Sequence, residues 1–287
     1  MTHETRTSAT THDLRARALD FRALHRAGTP LVLPNAWDLA SARVVEEAGA
    51  AAVATTSAGL AWELGAADGD RLDRDRALDA VARIAAAVAV PVTADIEAGY
   101  AADPKGVGET IRLVLAAGAV GVNIEDAAYD GSGPLRPVAE QAERIRAARE
   151  SADAEGVPLF VNARVDTYLR AVGEPEQRLS ATLERAAAFV AAGADGVFVP
   201  GSVEPDTVRA LADGIDAPLN IMVWPGAPTV AELAALGVAR ISVGSGIAQA
   251  VHALVRRAAH EVLTEGTYDA LAGGADFGEL NALFGRP

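Results

Sequence analysis

The sequence predicts an α/β fold, specifically a (β/α)8 TIM barrel, and three observations predict it. The residues that end a helix and begin a strand recur almost unchanged four times. Eight short apolar, β-branched segments alternate with helical stretches from residue 31 to about 262. Carboxylates collect where several of those segments stop. Continuous apolar strands separated by helices imply a parallel sheet with both faces covered. Eight such units in this length fit a closed barrel, whose chemistry sits at the C-terminal strand ends. An open doubly wound sheet is the competing architecture. It calls for a glycine-rich dinucleotide turn after the first strand, but LVLPNAW contains no GxGxxG and Gly28 precedes the strand.

In chain order, Met1 to Thr11 is polar with scattered charge and lacks the apolar stretch of a secretory signal, so residues 1–20 read as a flexible leader. The barrel domain then spans 21–265. Its first strand is LVLPNA (31–36). Glu47-Ala48-Gly49-Ala50 introduces the second, AAVATTS, and VPVTADIEAG (90–99) is the third. Ala116-Ala117-Gly118-Ala119 introduces VGVNIED, followed by PLFVNARVD (158–166). Ala192-Gly193-Ala194 introduces DGVFVPG, followed by APLNIMVWP (217–225). Ala235-Leu236-Gly237-Val238 introduces ARISVGS. Each repeat reads as an Ala-rich helix stopped by a left-handed glycine and then a strand. Beyond the eighth helix, residues 266–287 form a tail with a last helical stretch, Phe277 to Phe284. An apolar tail outside a finished barrel predicts packing on a neighbouring subunit, hence a homo-oligomer, dimer or tetramer.

Composition narrows the function. The chain has 287 residues, a formal charge of −14 and no basic stretch, which argues against nucleic acid and anionic membranes. With no cysteine, disulfides, thiolate metal sites and thiol catalysis are excluded. No apolar run approaches the roughly 20 residues that span a bilayer. A cytoplasmic protein is the expectation.

The strand ends carry the chemistry. Asp95 and Glu97 close the third strand, Asn123, Glu125 and Asp126 the fourth, and Asn162, Arg164 and Asp166 the fifth. Asp68-Gly69-Asp70 lies in the loop after the second, and Asn220 and Trp224 lie on the seventh. Alternation puts Asp95 with Glu97, and Asn123 with Glu125, on common faces. Clustered buried acids need compensation that one arginine does not supply. Mg²⁺ fits best, because it takes one or two carboxylates and keeps waters for others to orient; Mn²⁺ is a substitute. Zinc is disfavoured, because His3, His12, His25, His252 and His260 all lie outside the strands. Arg164 suggests a small substrate with a carboxylate or phosphate. Ser57 to Leu60 offers a hydroxyl and backbone N–H groups for a 2-oxo acid carboxylate.

The segments AWDLASARVVEEAGAAAVATTSAGLAWELGAADG, TADIEAGY, GVNIED and NARVD together resemble the isocitrate lyase/phosphoenolpyruvate mutase superfamily, over about Phe21 to Phe284. The resemblance implies Mg²⁺ bound directly by Asp95, with Asp68, Glu97 and Glu125 holding its waters. It implies a 2-oxo carboxylate held by Ser57, Gly59, Leu60 and Arg164; Trp37, Ala58, Asn123 and Asn220, at or beside the strand ends, are further candidates for the substrate site. It further implies a metal-stabilised enolate, C–C or P–C bond chemistry, and exchange of the last helices between subunits. Two departures matter. The lyases' catalytic cysteine loop is replaced by AAYDGSGPLRP, where Tyr129 and Ser132 are the candidate proton donors and Asp130 a candidate base. Asp95-Ile96-Glu97 replaces the more usual D-x-D. The expected activity is a Mg²⁺-dependent C–C lyase releasing a 2-oxo acid from a small 2-hydroxy or 2-oxo carboxylate. Phosphonopyruvate mutase or hydrolase activity and a silent 2-oxo-acid-binding relative are the alternatives.

Overall fold

The computed structural model describes residues 3–285, with side chains from residue 13 onward. Nine strands are present: β1 (Leu31–Leu33), β2 (Asn35–Ala36), β3 (Val53–Thr55), β4 (Val92–Asp95), β5 (Gly121–Glu125), β6 (Phe160–Arg164), β7 (Gly196–Val199), β8 (Leu219–Met222) and β9 (Arg240–Ser242). All pair in parallel, in the order β1-β9-β8-β7-β6-β5-β4-β3-β2. β1 and β2 are one strand interrupted at Pro34, which lacks the N–H a ladder needs. β1 pairs with β9 and β2 with β3, so this split strand closes the ring. The eight predicted strands are therefore these nine pieces, and the fold is the predicted TIM barrel.

Asn35 repairs the interruption. Its Nδ2 donates to Thr55 O and its Oδ1 accepts the Val243 N–H, both at 3.0 Å, bridging the strands on either side of the seam. Asn35→Leu strands two backbone groups, and we expect it to lower stability by about 2 kcal/mol. A urea unfolding midpoint equal to the wild type's would contradict this.

The repeated glycines behave as their pattern requires. Gly49, Gly118, Gly193 and Gly237 adopt φ of +94°, +91°, +107° and +93°, each ending a helix just before a strand.

His3–Ala23 is one helix, and Ala18 and Phe21 are fully buried in the core. Spaced three apart, they form the stripe that docks this helix on the N-terminal mouth of the barrel. There the Phe21 ring meets Phe160 edge-on at 5.7 Å, and His25 stacks on Phe160 at 3.9 Å. A Cβ on Gly121 would lie 2.7 Å from the Phe21 ring, so only glycine fits beneath this plug. The outer residues of the presumed leader, Met1 and Thr2, lie outside the described residues.

At the other end, helix Gly246–Thr264 buries only Ala248 and exposes Ile247, Val251, Leu254, Val255, Val262 and Leu263. The last helix, Phe277–Phe284, lies on the chain's own helix Leu39–Glu47 through buried Leu283, and Arg43 Nη1 donates to Leu283 O at 3.2 Å. The tail thus has an intramolecular seat, yet Phe277 remains 81% exposed. Between these helices runs an apolar groove of about 530 Å³ lined by Val44, Ile247, Val251, Leu280 and Phe284. Among the described residues no helix is long and apolar enough to cross a membrane.

Candidate active site

The acids expected from the sequence meet at the C-terminal mouth of the barrel. Asp95 ends β4, where its N–H donates to Thr55 Oγ1 at 2.9 Å. Its carboxylate accepts the Ser57 and Glu97 N–H groups, each at 3.3 Å. Glu97 reaches this cluster by a route other than strand alternation. β4 has already stopped at Asp95, and Glu97 turns back in the left-handed region at φ +50°, followed by Tyr100 at +49°. Such backbone is unfavourable for non-glycine residues and marks a constrained site. Glu97 is held there by the Asp70 N–H and by the Tyr100 hydroxyl at 3.3 Å.

Glu125 ends β5 opposite Arg164 on β6. It accepts the Tyr129 hydroxyl and pairs with Arg164 Nη1 at 2.6 Å. Arg164 turns its fork elsewhere, with Nε on Asp166 Oδ1 at 2.7 Å and Nη2 on Asp166 Oδ2 at 2.9 Å. The guanidinium expected to grip a substrate carboxylate bidentately is therefore committed to two of the protein's own acids. Only the Glu125 side of it borders the cluster. Asp126 faces away, accepting the Asp166 N–H at 2.9 Å and Arg185 Nη1 at 3.1 Å. This anchors the loop that follows.

Charge is unbalanced here. Burial raises the Asp95 carboxyl, with Arg164 opposing and the Asp68 charge adding to the rise. Burial likewise pushes Glu97 up to about 7, where its hydrogen bond from Asp70 opposes and Asp68 and Asp95 reinforce. Glu125 rises to about 8 through burial, despite Arg164. Exposed Asp68 makes no hydrogen bond among the described residues, but its charge acts on Asp70, Asp95 and Glu97. Carboxylates that raise one another while sharing a single, already divided arginine form a site short of positive charge. That donor set fits a hard divalent cation. Among the described residues no three acidic or histidine side chains are already gathered into a cage. Mg²⁺ does not need one, since it takes one or two carboxylates and reaches the others through water.

Burial therefore makes stability depend on pH in a defined sense. Glu97 and Glu125 titrate above their usual value when folded. Their contribution is full below about pH 4.5 and is lost as pH rises through 7 to 8. His25 opposes this in acid: burial lowers it to about 3, so stability falls as pH drops below about 6.5. From these three groups we expect metal-free protein to be most stable at about pH 4.5 and to lose about 2 kcal/mol or more by pH 8.5. Mg²⁺ should remove the alkaline loss. Urea midpoints at pH 5.5, 7 and 8.5, with MgCl2 or chelator, check this.

The remaining predicted residues are placed unevenly. Ser57, Ala58, Gly59 and Leu60 are buried, but they form the first turn of helix Ser57–Glu63 rather than a loop. A Cβ on Gly59 would fall 2.7 Å from Trp37 Cβ, so Trp37 backs this turn; Trp37 also lines the groove shared with Phe284. Asn123 is beside Asp95 on paired strands and accepts Asn162 Nδ2 at 2.8 Å. Asn220 is buried on β8, accepting the Ser242 hydroxyl at 3.3 Å. Tyr129 packs its ring over Gly69 beneath Arg170, 5.0 Å from the ring centre. Ser132 does not join the cluster. It sits exposed at the loop tip with its N–H (2.9 Å) and hydroxyl (2.6 Å) both on Asp130 Oδ1, because an Asx-type turn forms there. Those same bonds lower the Asp130 carboxyl, which makes it a weak base. Tyr100 and Thr55 stand at strand ends but carried no assigned role in the sequence; Tyr100 donates to the Glu97 carboxylate and Thr55 accepts the Asp95 N–H.

Comparison with known proteins agrees with this arrangement. The phosphoenolpyruvate phosphomutase family profile matches residues 21–263. An uncharacterised protein of Mycobacterium tuberculosis is 39% identical over 241 residues, covering 82% of this chain and 87% of its own. A Burkholderia cenocepacia J2315 protein, described provisionally as a phosphonomutase, superposes with a TM-score of 0.81 at 44% identity. It covers 88% of this chain and 100% of its own. The structure of 2,3-dimethylmalate lyase, a PEP mutase/isocitrate lyase superfamily member, superposes with a TM-score of 0.80 at 26% identity, over 94% and 95%. The chain belongs to the phosphoenolpyruvate phosphomutase family, within the PEP mutase/isocitrate lyase superfamily of enzymes that act on 2-oxo acids.

Proposed function

We propose that this chain is a Mg²⁺-dependent carbon–carbon lyase that splits a small 2-hydroxy or 2-oxo carboxylate and releases a 2-oxo acid. The observation that carries the reading is the cluster of Asp95, Glu97 and Glu125, with Asp68 acting on it, ion-paired to one arginine that is already shared. Asp95 would hold the ion directly, with Asp68, Glu97 and Glu125 acting through its waters. The ion supplies stabilisation for negative charge developing on the substrate's oxo oxygen.

The chain's own groups do the rest. In the turn at Ser57–Leu60 the Ser57 N–H is on Asp95 and the Leu60 N–H on Thr56 O, which leaves those of Ala58 and Gly59 for a carboxylate. Glu125 is placed to take the hydroxyl proton beside the breaking bond. The bond's electron pair leaves with the departing fragment, which then takes a proton from Tyr129. Tyr129 occupies the loop where the lyases carry cysteine, and its hydroxyl already points at Glu125. The loop's base is fixed by the Ala127–Leu135 bridge and by the Arg136 N–H on Asp126 O at 2.7 Å, so its tip can open without disturbing Glu125.

A phosphonomutase reading is favoured by the Burkholderia relative. It needs a free cation for the phosphoryl group. Arg136, the one basic residue of loop 127–137, is buried with Nη1 on Glu140 at 2.8 Å, which weighs against it. A catalytically silent relative would have no use for so costly a cluster. Homo-oligomerisation, as dimer or tetramer, would cover the apolar face of Gly246–Thr264.

The deciding experiment is a screen of 2-hydroxy-acid and malate-type substrates with Mg²⁺ or Mn²⁺, coupled to pyruvate or glyoxylate detection. A ³¹P NMR assay with phosphonopyruvate runs beside it. Turnover of phosphonopyruvate alone would replace the C–C reading. Tyr129→Phe should lower kcat by about 10²-fold or more while leaving oxalate binding nearly intact. An unchanged kcat would remove Tyr129 from the proton path.

A further inference from the structure

The barrel interior holds an arginine for which the reaction above has no role. Arg240, on β9 between Leu31 of β1 and Asn220 of β8, is 1% exposed. It forms no ion pair among the described residues, and its Nε and Nη1 find no acceptor there. Its single hydrogen bond runs from Nη2 to Asn123 Oδ1, at 3.2 Å. Burial lowers the guanidinium to about 9, and the Asp95 charge partly offsets this. A buried cation without a paired anion is strongly destabilising, and a hydrocarbon chain of similar volume would serve the fold better. Stability therefore gives no reason for an arginine at this position.

Its hydrogen bond gives one. A guanidinium has donors only. The Asn123 atom facing it must therefore be the carbonyl oxygen. Asn162 Nδ2 donates to that same oxygen at 2.8 Å, so Asn162 is oriented in turn. Its Oδ1 is left against Gly196, where a Cβ would come within 3.1 Å. One charge thus sets the polarity of two amides across β9, β5 and β6. With Oδ1 doubly engaged, the Asn123 Nδ2 has no partner among the described residues and, unlike Arg240 Nε, is not sealed from the site. Asn123 stands directly across from Asp95 in the β4–β5 register.

We propose that Arg240 is a positioning residue: it locks the Asn123 amide so that its NH2 group, and never its carbonyl, is offered to the anionic substrate beside Asp95. Arg240 itself touches no reacting atom. Without it the amide is free to flip and present a carbonyl oxygen, which repels a carboxylate or an enolate-like oxygen. The inference rests on the 2-oxo-acid reading of the site for its functional consequence, though the lock itself does not.

The test uses Arg240→Met and Arg240→Lys in the full-length protein, read by calorimetry with oxalate and Mg²⁺ and by thermal unfolding. Arg240→Met should melt at or above the wild-type temperature yet bind oxalate about tenfold more weakly. Arg240→Lys, which keeps a charged donor, should recover part of that loss. A merely structural arginine would lower the melting temperature and leave affinity unchanged in the folded variant. Oxalate affinity within twofold of wild type in Arg240→Met, or no recovery by lysine, overturns the proposal. Should Arg240→Met fail to fold, Arg240→Gln carries the same comparison. If wild-type protein binds no oxalate, the functional reading fails, and side-chain amide ¹H–¹⁵N spectra decide the lock alone. The Asn123 and Asn162 NH2 pairs, assigned with Asn123→Asp and Asn162→Asp, should shift or broaden in the Arg240 variant. Unmoved pairs overturn it.

Discussion

Asp95→Asn is expected to abolish Mg²⁺-dependent oxalate binding and turnover while making the metal-free protein more stable. The two effects share one cause. Asp95 is buried, repelled by Asp68, and only partly relieved by Arg164. Its ionised form is therefore a liability in the absence of a cation. The isosteric amide removes the charge and keeps one oxygen, for either the Ser57 N–H on Oδ2 or the Glu97 N–H on Oδ1, both long contacts at 3.3 Å. We expect a gain of about 1–2 kcal/mol, a few degrees in Tm, without metal. Turnover should fall by about 10³-fold, because the ion that stabilises charge on the oxo oxygen loses its direct ligand. Thermal scans of both proteins with chelator and with MgCl2 separate the terms. Wild type should gain from Mg²⁺ and the variant should not. A variant less stable than wild type in chelator would mean that Asp95 is a structural acid, and the cation reading would fall.

Asp95 was legible in the sequence because it ends a strand, and a strand end in a barrel is a geometric address. Glu125 and Arg164 were legible for the same reason, since they oppose each other in register on β5 and β6. Glu97 was found by an argument that the backbone does not obey. Alternation along an extended strand predicts a shared face with Asp95, but the chain turns at Glu97 with φ +50°. The pairing survives because the turn brings the side chain back. Neighbouring positive-φ positions at Asp70 and Tyr100 carried no sequence signal, because neither residue type announces left-handed backbone as glycine does.

Ser132 and the N-terminal segment were hard to place from the sequence for opposite reasons. A hydroxyl in a glycine-rich loop looks available for chemistry, but Asp130, two residues earlier, captures both its donors. The N-terminal segment looks too polar to fold, and among the described side chains its packing rests on Ala18 and Phe21 with part-buried Leu14, a stripe too thin to stand out from composition. Arg240 was the signal left unread. In ARISVGS it shares strand parity with Ser242 and lies among apolar residues. A charged side chain on the inner face of a barrel strand is rarely there for packing.

Arg164→Met is expected to be the most damaging single substitution at the site, lowering stability by about 3–5 kcal/mol at pH 8 and eliminating activity. The guanidinium holds Asp166 in a two-pronged contact and Glu125 through its third nitrogen, and the two acids are fully and almost fully buried. Methionine fills much of the volume against Phe198 but leaves Glu125 with only the Tyr129 hydroxyl and Asp166 with only Arg170 Nε, at 3.5 Å. Glu125, already pushed up to about 8 by burial with Arg164 opposing, would then fold in protonated form. A carboxyl whose folded pKa lies above its unfolded value contributes stability that is complete in acid and lost as pH rises, so the defect should shrink towards pH 5.5. Adding Asp166→Asn should restore part of the loss at pH 8, because it removes one stranded charge. Arg164→Lys should fall between, since a single ammonium cannot serve both acids at once. Urea midpoints for the four proteins at pH 5.5 and 8 measure this directly. Equal destabilisation at both pH values would show that packing, rather than the division of one arginine between two acids, sets the contribution of Arg164. In that case the excess negative charge assigned to a cation would need another source.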